Sequence, residues 1–297
     1  MKKIRIYFKA IVYIIRRLNL YPLRFLQKKI PDYIENDNLK TLKIKCLKEL
    51  NENGISCLDL SDIISQYEIY NLYKYIELTK KKKGNIQTKS YIKDYIGGDI
   101  DSGKILNFPD DDPLLKLALD NFFLYLIKSY LRQDCYLIDI TFSETFSNNQ
   151  KNRKQSQRWH RDPSVRGLIK IFVYFSDITK ESGPFEFINQ THNNMNLKPN
   201  KGPITTKRFG GSFYPDQKNL GQQIIKEKLF VNSIIGKKGK VMIADTTGLH
   251  RGGYCEFGSR LMLTMVYYTK GDPWGSRINV NKKNKNLSNF QLSFVPS

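Results

Sequence analysis

The chain has 297 residues, 40% of them apolar and 12% aromatic, which is enough to bury a substantial core and excludes a disordered protein. Its 49 Lys and Arg outnumber 28 Asp and Glu, for a net charge of +21. Two readings stay open: compositional drift in a Lys-, Asn- and Ile-rich chain, or an anionic partner such as a membrane surface, a nucleic acid, or a phosphate- or carboxylate-bearing substrate. The four cysteines lie far apart with no CxxC, which excludes a zinc ribbon or disulfide framework and makes a reducing compartment the default.

Residues 1–29 carry nine Lys or Arg and no acid. Ile4, Phe8, Ile11, Ile15 and Leu18 recur at helical spacing, with Lys2, Arg5, Lys9 and Arg16 opposite. The apolar run Ala10 to Ile15 is too short to span a bilayer or to form a signal-peptide core. A basic amphipathic helix at 1–38 is therefore expected either to lie on an anionic membrane or to pack on its own domain. The first alternative would make a cytoplasmic protein peripheral to the inner face of the membrane.

Helices follow. "LKTLKIKCLKELNENG" stops at Gly54, and "ISCLDL" reads as a short strand. "SDIISQYEIYNLYKYIELTKKKKGN" reads as a helix capped by Ser61 and Asp62. "DDPLLKLALDNFFLYLIKSYL" reads as one periodic apolar helix with Asp112 as cap and Pro113 in its first turn. From residue 135 the character changes. "CYLIDITFSETF", "LIKIFVYFSD", "GPFEFIN", "GKVMIAD" and "RLMLTMVYYTK" are β-branched and aromatic runs separated by turn residues. The expectation is an α+β chain: a mainly β sandwich or jelly roll preceded by helices, spanning 39–275, with a solvated, basic and flexible tail at 276–297.

Three histidines are present, and two lie in suggestive places. "QRWHRDP" holds His160 and Asp162, and residues i and i+2 of an extended segment point to one side, so both can grip one ion. "GKVMIADTTGLHRGG" places His250 just past a strand. Two imidazoles and one carboxylate on one face of a metal leave positions open, which is the arrangement of non-haem Fe(II) oxygenases. Arg260, ten residues on, can hold a carboxylate in bidentate fashion, as a dicarboxylate co-substrate would require.

The order of these motifs, "QRWHRDP", then "LIKIFVYFSDITKESGPFEFINQTH", then "GLHRGG" and an Arg, resembles the phytanoyl-CoA dioxygenase (PhyH-like) group of Fe(II)/2-oxoglutarate-dependent oxygenases over roughly residues 45–270. The resemblance implies a double-stranded β-helix, a cupin-like jelly roll buttressed by N-terminal helices. It also implies His160, Asp162 and His250 as catalytic iron ligands and Arg260 as the anchor of the 2-oxoglutarate C5 carboxylate. Phe172 falls where members place a co-substrate-lining aromatic. Gly252 stands where members place a hydroxyl two residues after the distal His, so that contact is expected to be missing. Trp159, Lys170, Tyr174 and Arg251 are the candidate substrate contacts, although a Trp in the place of Trp159 is more often packing than chemistry and Arg251 is equally a partner for an acid. His192 is expected to have a structural or rim role.

The implied activity is hydroxylation of a C–H bond in a small-molecule, lipid or glycan-type substrate, using dioxygen and decarboxylating 2-oxoglutarate to succinate. Asp162 argues against halogenation, because related halogenases carry a small residue there. Nucleic-acid demethylation ranks low, since no Arg lies between Arg260 and Arg277. The rival reading is an inactive barrel serving as a membrane-associated or glycan-binding module.

Overall fold

A computed structural model describes residues 36–82, 91–97, 105–147, 153–162, 167–192, 217–270 and 275–296. The proposed amphipathic helix at the N-terminus falls outside them. Among the described residues no helix is long and apolar enough to cross a membrane.

Helix α1 (Asp37–Asn53) starts at Asn36, whose side chain accepts from the Asn38 and Leu39 N–H groups, and buries Lys43, Cys46 and Leu50 at helical spacing. It stops at Gly54, whose φ of 83° is a left-handed C-cap that an L side chain adopts only under strain. Gly54 also permits a close approach: a Cβ there would lie 2.5 Å from His192 Nδ1 and 2.9 Å from Phe187 Cζ. Strand β1 (Ile55–Asp59) follows. Helix α2 (Gln66–Lys82) begins later than the Ser61–Asp62 pair suggests. Ser65 and Glu68 supply the reciprocal cap, and the Asp62 carboxylate instead accepts from the Asp59 N–H in a 3-10 turn.

The apolar stretch from Pro113 to Leu131 forms two helices rather than one: α3 (Pro113–Ala118), capped by Asp112 as expected, and α4 (Asn121–Leu131). The break comes from Asp120, whose carboxylate accepts from the Phe122 N–H and so caps a new helix. Burial pushes the Asp120 carboxyl up to about 6, against the hydrogen bonds to the helix N–H groups.

The strands are β2 (Ile92–Ile96), β3 (Leu106–Asn107), β4 (Cys135–Phe146), β5 (Leu168–Tyr174), β6 (Phe185–Ile188), β7 (Val231–Ile234), β8 (Lys240–Ala244), β9 (His250–Gly252), β10 (Ser259–Thr269) and β11 (Ile278–Asn279). Six form one antiparallel sheet in the order β1-β8-β5-β10-β4-β2, and a small sheet β7-β6-β9 faces it. Two facing sheets with sequence neighbours placed in opposite layers make the double-stranded β-helix that the motif order implies.

The large sheet is buried on both faces, and strand alternation sorts its side chains. Ile169, Ile171 and Val173 of β5, with Leu261, Leu263, Met265 and Tyr267 of β10, pack against the helices in the main core. Tyr267 donates to the Ala118 carbonyl at 2.6 Å, tying the sheet to α3. Phe172 and Tyr174 point the other way and join Phe185, Phe187 and Ile234 of the small sheet. That second, smaller core is the barrel interior.

Residues 276–296 are not the solvated tail that their composition suggests. Strand β11 pairs in parallel with β3, and a short helix α6 (Asn289–Leu292) lies against α4. Tyr125 stacks on Phe290 at 4.2 Å, Gln291 donates to the Leu119 carbonyl, and Leu137 N–H donates to the Phe294 carbonyl. The basic residues of the segment mask a periodic set of apolar ones, Ile278, Val280, Leu287, Phe294 and Val295, all buried. Phe294→Ala is expected to cost about 3–5 kcal/mol, the range for a buried aromatic. Urea unfolding would measure it, and a change within experimental error would restore the solvated tail.

Candidate metal centre

His160 and His250 meet across an isolated antiparallel bridge, with each backbone N–H donating to the other's carbonyl at 3.0 Å. This bridge adds the segment around His160 to the free edge of β9 and sets both imidazoles on the same side of the small sheet. Their ring centroids are 4.2 Å apart. Asp162, two residues on, is held by its own N–H donating to the Thr246 carbonyl at 2.8 Å.

The tautomers follow from the acceptors. His160 Nδ1 lies 2.8 Å from the Arg158 carbonyl and His250 Nδ1 lies 2.9 Å from the Gly248 carbonyl. A carbonyl only accepts, so both Nδ1 atoms carry hydrogens and both Nε2 lone pairs turn towards Asp162. Nε2 of His160 lies 3.9 Å from Asp162 Oδ1, and Nε2 of His250 lies 3.4 Å from Asp162 Oδ2. One ligand atom from each of the three residues fits within a 4.8 Å spread. Donors each about 2.1 Å from a single ion stand about 3–4 Å apart, so the group fits one cation.

Burial keeps both imidazoles neutral: it lowers His160, and it lowers His250 to about 3 with help from the neighbouring His160. Burial works against ionised Asp162, but the Lys170 ammonium, 2.7 Å from Oδ2, and the two imidazoles outweigh it and hold the carboxyl well below its ordinary range. Two neutral nitrogen donors and one ionised carboxylate are the donor set that a divalent cation requires.

Arg260 points into the barrel from β10, beside β4, and is 5% exposed. Its guanidinium donates to the Gly183 carbonyl and, at 3.4 Å, to Thr145 Oγ1, and Nε has no hydrogen-bond partner. Among the described residues no carboxylate pairs with it, and burial pulls its pKa down. Gly252 leaves room for it, since a Cβ there would lie 2.9 Å from Nη2. The Thr145 hydroxyl on the neighbouring strand reaches the same guanidinium, a contact that sequence reading missed.

The other expected site residues divide by strand face. Phe172 is inward, 4.5 Å from Phe185, which in turn lies 5.8 Å from the His250 ring, so an aromatic row backs the centre. Lys170 is inward and pairs with Asp162. Tyr174 is inward but acts as a strut: its hydroxyl donates to the Ile234 carbonyl at 3.0 Å and accepts from the Phe185 N–H at 2.8 Å. Trp159 and Arg251, the other two candidate substrate contacts, do not face the three ligand residues. Each precedes or follows an inward histidine by one residue and therefore lies on the outer face of the small sheet. There the Arg251 guanidinium sits 4.3 Å over the Trp159 ring and pairs with Glu186. His192 is buried against Gly54 and Gly248, in a structural position.

A buried polar frame behind the centre was also missed. Asp245 accepts from Tyr130 of α4 and from the Thr247 hydroxyl, and Arg161 donates to the Thr191 and Thr247 carbonyls. These groups fix the loop between β8 and β9, and with it the Thr246 carbonyl that holds Asp162. None of them follows a periodic pattern, so only the fold brings them together.

No family model matches the chain, and no curated protein matches it. Solved structures do, at low identity. The epimerase SnoN in complex with Fe3+, alpha ketoglutarate and nogalamycin RO shares 12% identity over 80% of this chain and 88% of its own, with a TM-score of 0.55. EctD from S. alaskensis with 2-oxoglutarate and 5-hydroxyectoine shares 14% over 88% and 93%, with a TM-score of 0.52. HygX from Streptomyces hygroscopicus with nickel and 2-oxoglutarate shares 13% over 76% and 87%, with a TM-score of 0.50. At these identities the likeness is one of fold, the double-stranded β-helix of Fe/2-oxoglutarate-dependent enzymes.

The electrostatics set a pH dependence. Both imidazoles titrate at about 6.5 when unfolded and lower when folded, so below that pH the unfolded chain binds more protons. Asp162, lowered from 3.8, stays ionised through this window. The two imidazoles are therefore expected to withdraw stability from the metal-free protein as pH falls from 7 towards 4.5, while Asp120, raised to about 6, acts in the opposite sense. His160→Gln/His250→Gln should flatten that slope in urea midpoints, and an unchanged slope would count against neutral buried imidazoles.

Proposed function

We propose that the chain is a non-haem Fe(II)/2-oxoglutarate-dependent dioxygenase of the phytanoyl-CoA dioxygenase-like group, hydroxylating a C–H bond of a small-molecule, lipid or glycan-type substrate. The observation that carries this reading is the unpaired Arg260 guanidinium buried in the same barrel interior that holds His160, Asp162 and His250. An isolated buried cation is costly, and an incoming carboxylate relieves it. A metal group alone would suit many enzymes, whereas a metal group with a buried carboxylate receptor suits a dicarboxylate co-substrate.

His160 and His250 would supply Nε2 donors already oriented by their Nδ1 hydrogen bonds, and Asp162 the anionic donor. When bound, iron with 2-oxoglutarate and dioxygen supplies the oxidising power for C–H hydroxylation, with succinate as co-product. Arg260, steadied by the Gly183 carbonyl and Thr145, would anchor the far carboxylate of 2-oxoglutarate. Phe172 and Phe185 line the interior and exclude water, which strengthens every charge interaction there. The carboxylate at position 162 favours oxygen transfer over halogenation.

Anaerobic addition of Fe(II) and 2-oxoglutarate is expected to produce a weak visible charge-transfer band, and its absence from folded protein would favour the inactive-barrel alternative. Arg260→Gln should weaken 2-oxoglutarate binding on the order of 100-fold while leaving metal uptake intact, as loss of one partner of a buried charge pair does. Titration of the band would measure it. Wild-type affinity in the variant would remove Arg260 from the co-substrate site.

Lys170 competes with an incoming cation for Asp162. Lys170→Met is expected to bind Mn2+ at least about threefold tighter by calorimetry, as removal of a buried like charge near the ion requires. Weaker binding would instead make Lys170 the group that orients Asp162.

A further inference from the structure

The interior face of the large sheet carries charge beyond Arg260. Register places Lys170 of β5 and Asp139 of β4 on either side of Val266 of β10, so the three project into the barrel as one row. The next inward row is Phe172, Thr264 and Thr141, and Thr145 beside Arg260 lies at the far end. Thr141 shows the direction of Asp139, since its hydroxyl donates to Oδ2 at 3.3 Å. Lys170 pairs with Asp162, so the row lies at the level of the metal ligands. The Lys170 and Asp139 side chains keep 21% and 12% exposure, whereas Arg260 is enclosed, which puts the open end of the barrel on their side.

Asp139 is not fully served by its neighbours. Arg277 pairs with its Oδ2 at 3.0 Å, but Oδ1 is buried with no hydrogen-bond partner. Burial pushes its carboxyl up in spite of Arg277, Thr141 and Lys170. A buried oxygen without a donor is costly, and a ligand hydroxyl supplies one. At the same end of the barrel Ile138, Leu168, Val266 and Tyr268 form a small apolar cluster, with Tyr136 against it. Opposite charges flanking apolar surface suit a ring with hydroxyls on its edge and C–H groups on its faces. A plain acyl chain would cover Lys170 and Asp139 without bonding either, leaving both desolvated. An ammonium would meet two cations, Lys170 and Arg277, against the single carboxylate of Asp139.

We propose that this row is the substrate wall, and that it selects a hydroxylated ring of glycan or polyol type over a lipid chain, one hydroxyl donating to Asp139 Oδ1 and another accepting from Lys170. The Lys170 ammonium has three donors, so its contact with Asp162 leaves others for a hydroxyl. This substrate class rests on the oxygenase reading above, which it narrows.

The full chain is to be loaded with Mn2+ in place of iron and with 2-oxoglutarate, then titrated with methyl hexopyranosides or their fully O-methylated counterparts. Proton relaxation of the sugars by Mn2+ is expected to saturate at least about tenfold more tightly for the hydroxylated set, because methylation removes hydrogen bonds to charged groups. Asp139→Asn should weaken that binding about tenfold, and Arg277→Gln, which breaks the same ion pair from its other side, by less than about threefold. Equal losses in the two variants would make Asp139 a structural tie only. Equal affinity for both sugar sets, unchanged binding in Asp139→Asn, or no saturable relaxation would each overturn the wall. Should Asp139→Asn melt early, the comparison of the two sugar sets on the parent chain decides. A centre that takes up no Mn2+ would strike the oxygenase reading instead, and saturation transfer to the same sugars on the metal-free chain would still test the wall.

Discussion

The organisation of the centre depends on one short backbone pairing, the reciprocal bridge between His160 and His250. Two segments far apart in sequence converge there without a long shared strand. Once paired, the rest is constrained: the imidazoles share a side, each Nδ1 meets the carbonyl two residues before it, and each Nε2 is left to face Asp162. An isolated bridge is weak by itself. Its rigidity comes from the loop beneath it, where Asp245, Thr247 and Arg161 tie the strand ends to Tyr130 of α4 and to the Thr191 carbonyl. The helical layer thus acts on the centre through hydrogen bonds rather than by lining it.

Charge inside the barrel is distributed unevenly, and that unevenness is informative. The one acid at the centre, Asp162, has Lys170 and two imidazoles around it. Arg260, buried more deeply than a free guanidinium tolerates, has only a carbonyl and a hydroxyl. On the helix-facing side of the same sheet the balance is complete: Glu144 is met by Lys80, Tyr95 and Ser259. A protein that satisfies a buried charge on one face and leaves one unpaired on the other has a place prepared for something that it does not itself supply.

Much of this was legible in the sequence, and for physical reasons. The HxD spacing fixes two donors on one side of an extended segment, and β-branched runs of the length seen in β5 and β10 announce strands buried on both faces. What escaped was set by tertiary context. Asp120 splits one periodic apolar stretch into two helices because its carboxylate caps more effectively than the periodicity continues. Short β7 and the amphipathic α5 (Gln217–Lys226) lack the apolar density that marks an element by itself. The tail hides Phe294 and Val295 among lysines and asparagines, and Thr145 enters the Arg260 site from a strand whose other residues gave no sign of it. Trp159 and Arg251 lie on the outer face because neighbours in a strand point apart, and Arg251 there meets Glu186, the acid partner that its sequence context left open.

The same alternation bears on the origin of the net charge. Compositional drift fills solvated positions with lysine, as at Lys45 and Lys48 on α1, Lys81 and Lys82 at the end of α2, and Lys282, Lys283 and Lys285 in the C-terminal segment, all exposed. The cations of the barrel interior are of two kinds: Lys170 pairs with Asp162, whereas the Arg260 guanidinium meets only a carbonyl and a hydroxyl. Guanidinium is the more weakly hydrated group and its planar fork matches oxyanions, so burial costs it less than it costs an ammonium. Solvated lysines are what a drift in composition produces. The inward Lys170 and Arg260 are placed by strand alternation instead, one beside an acid of the chain and the other beside none.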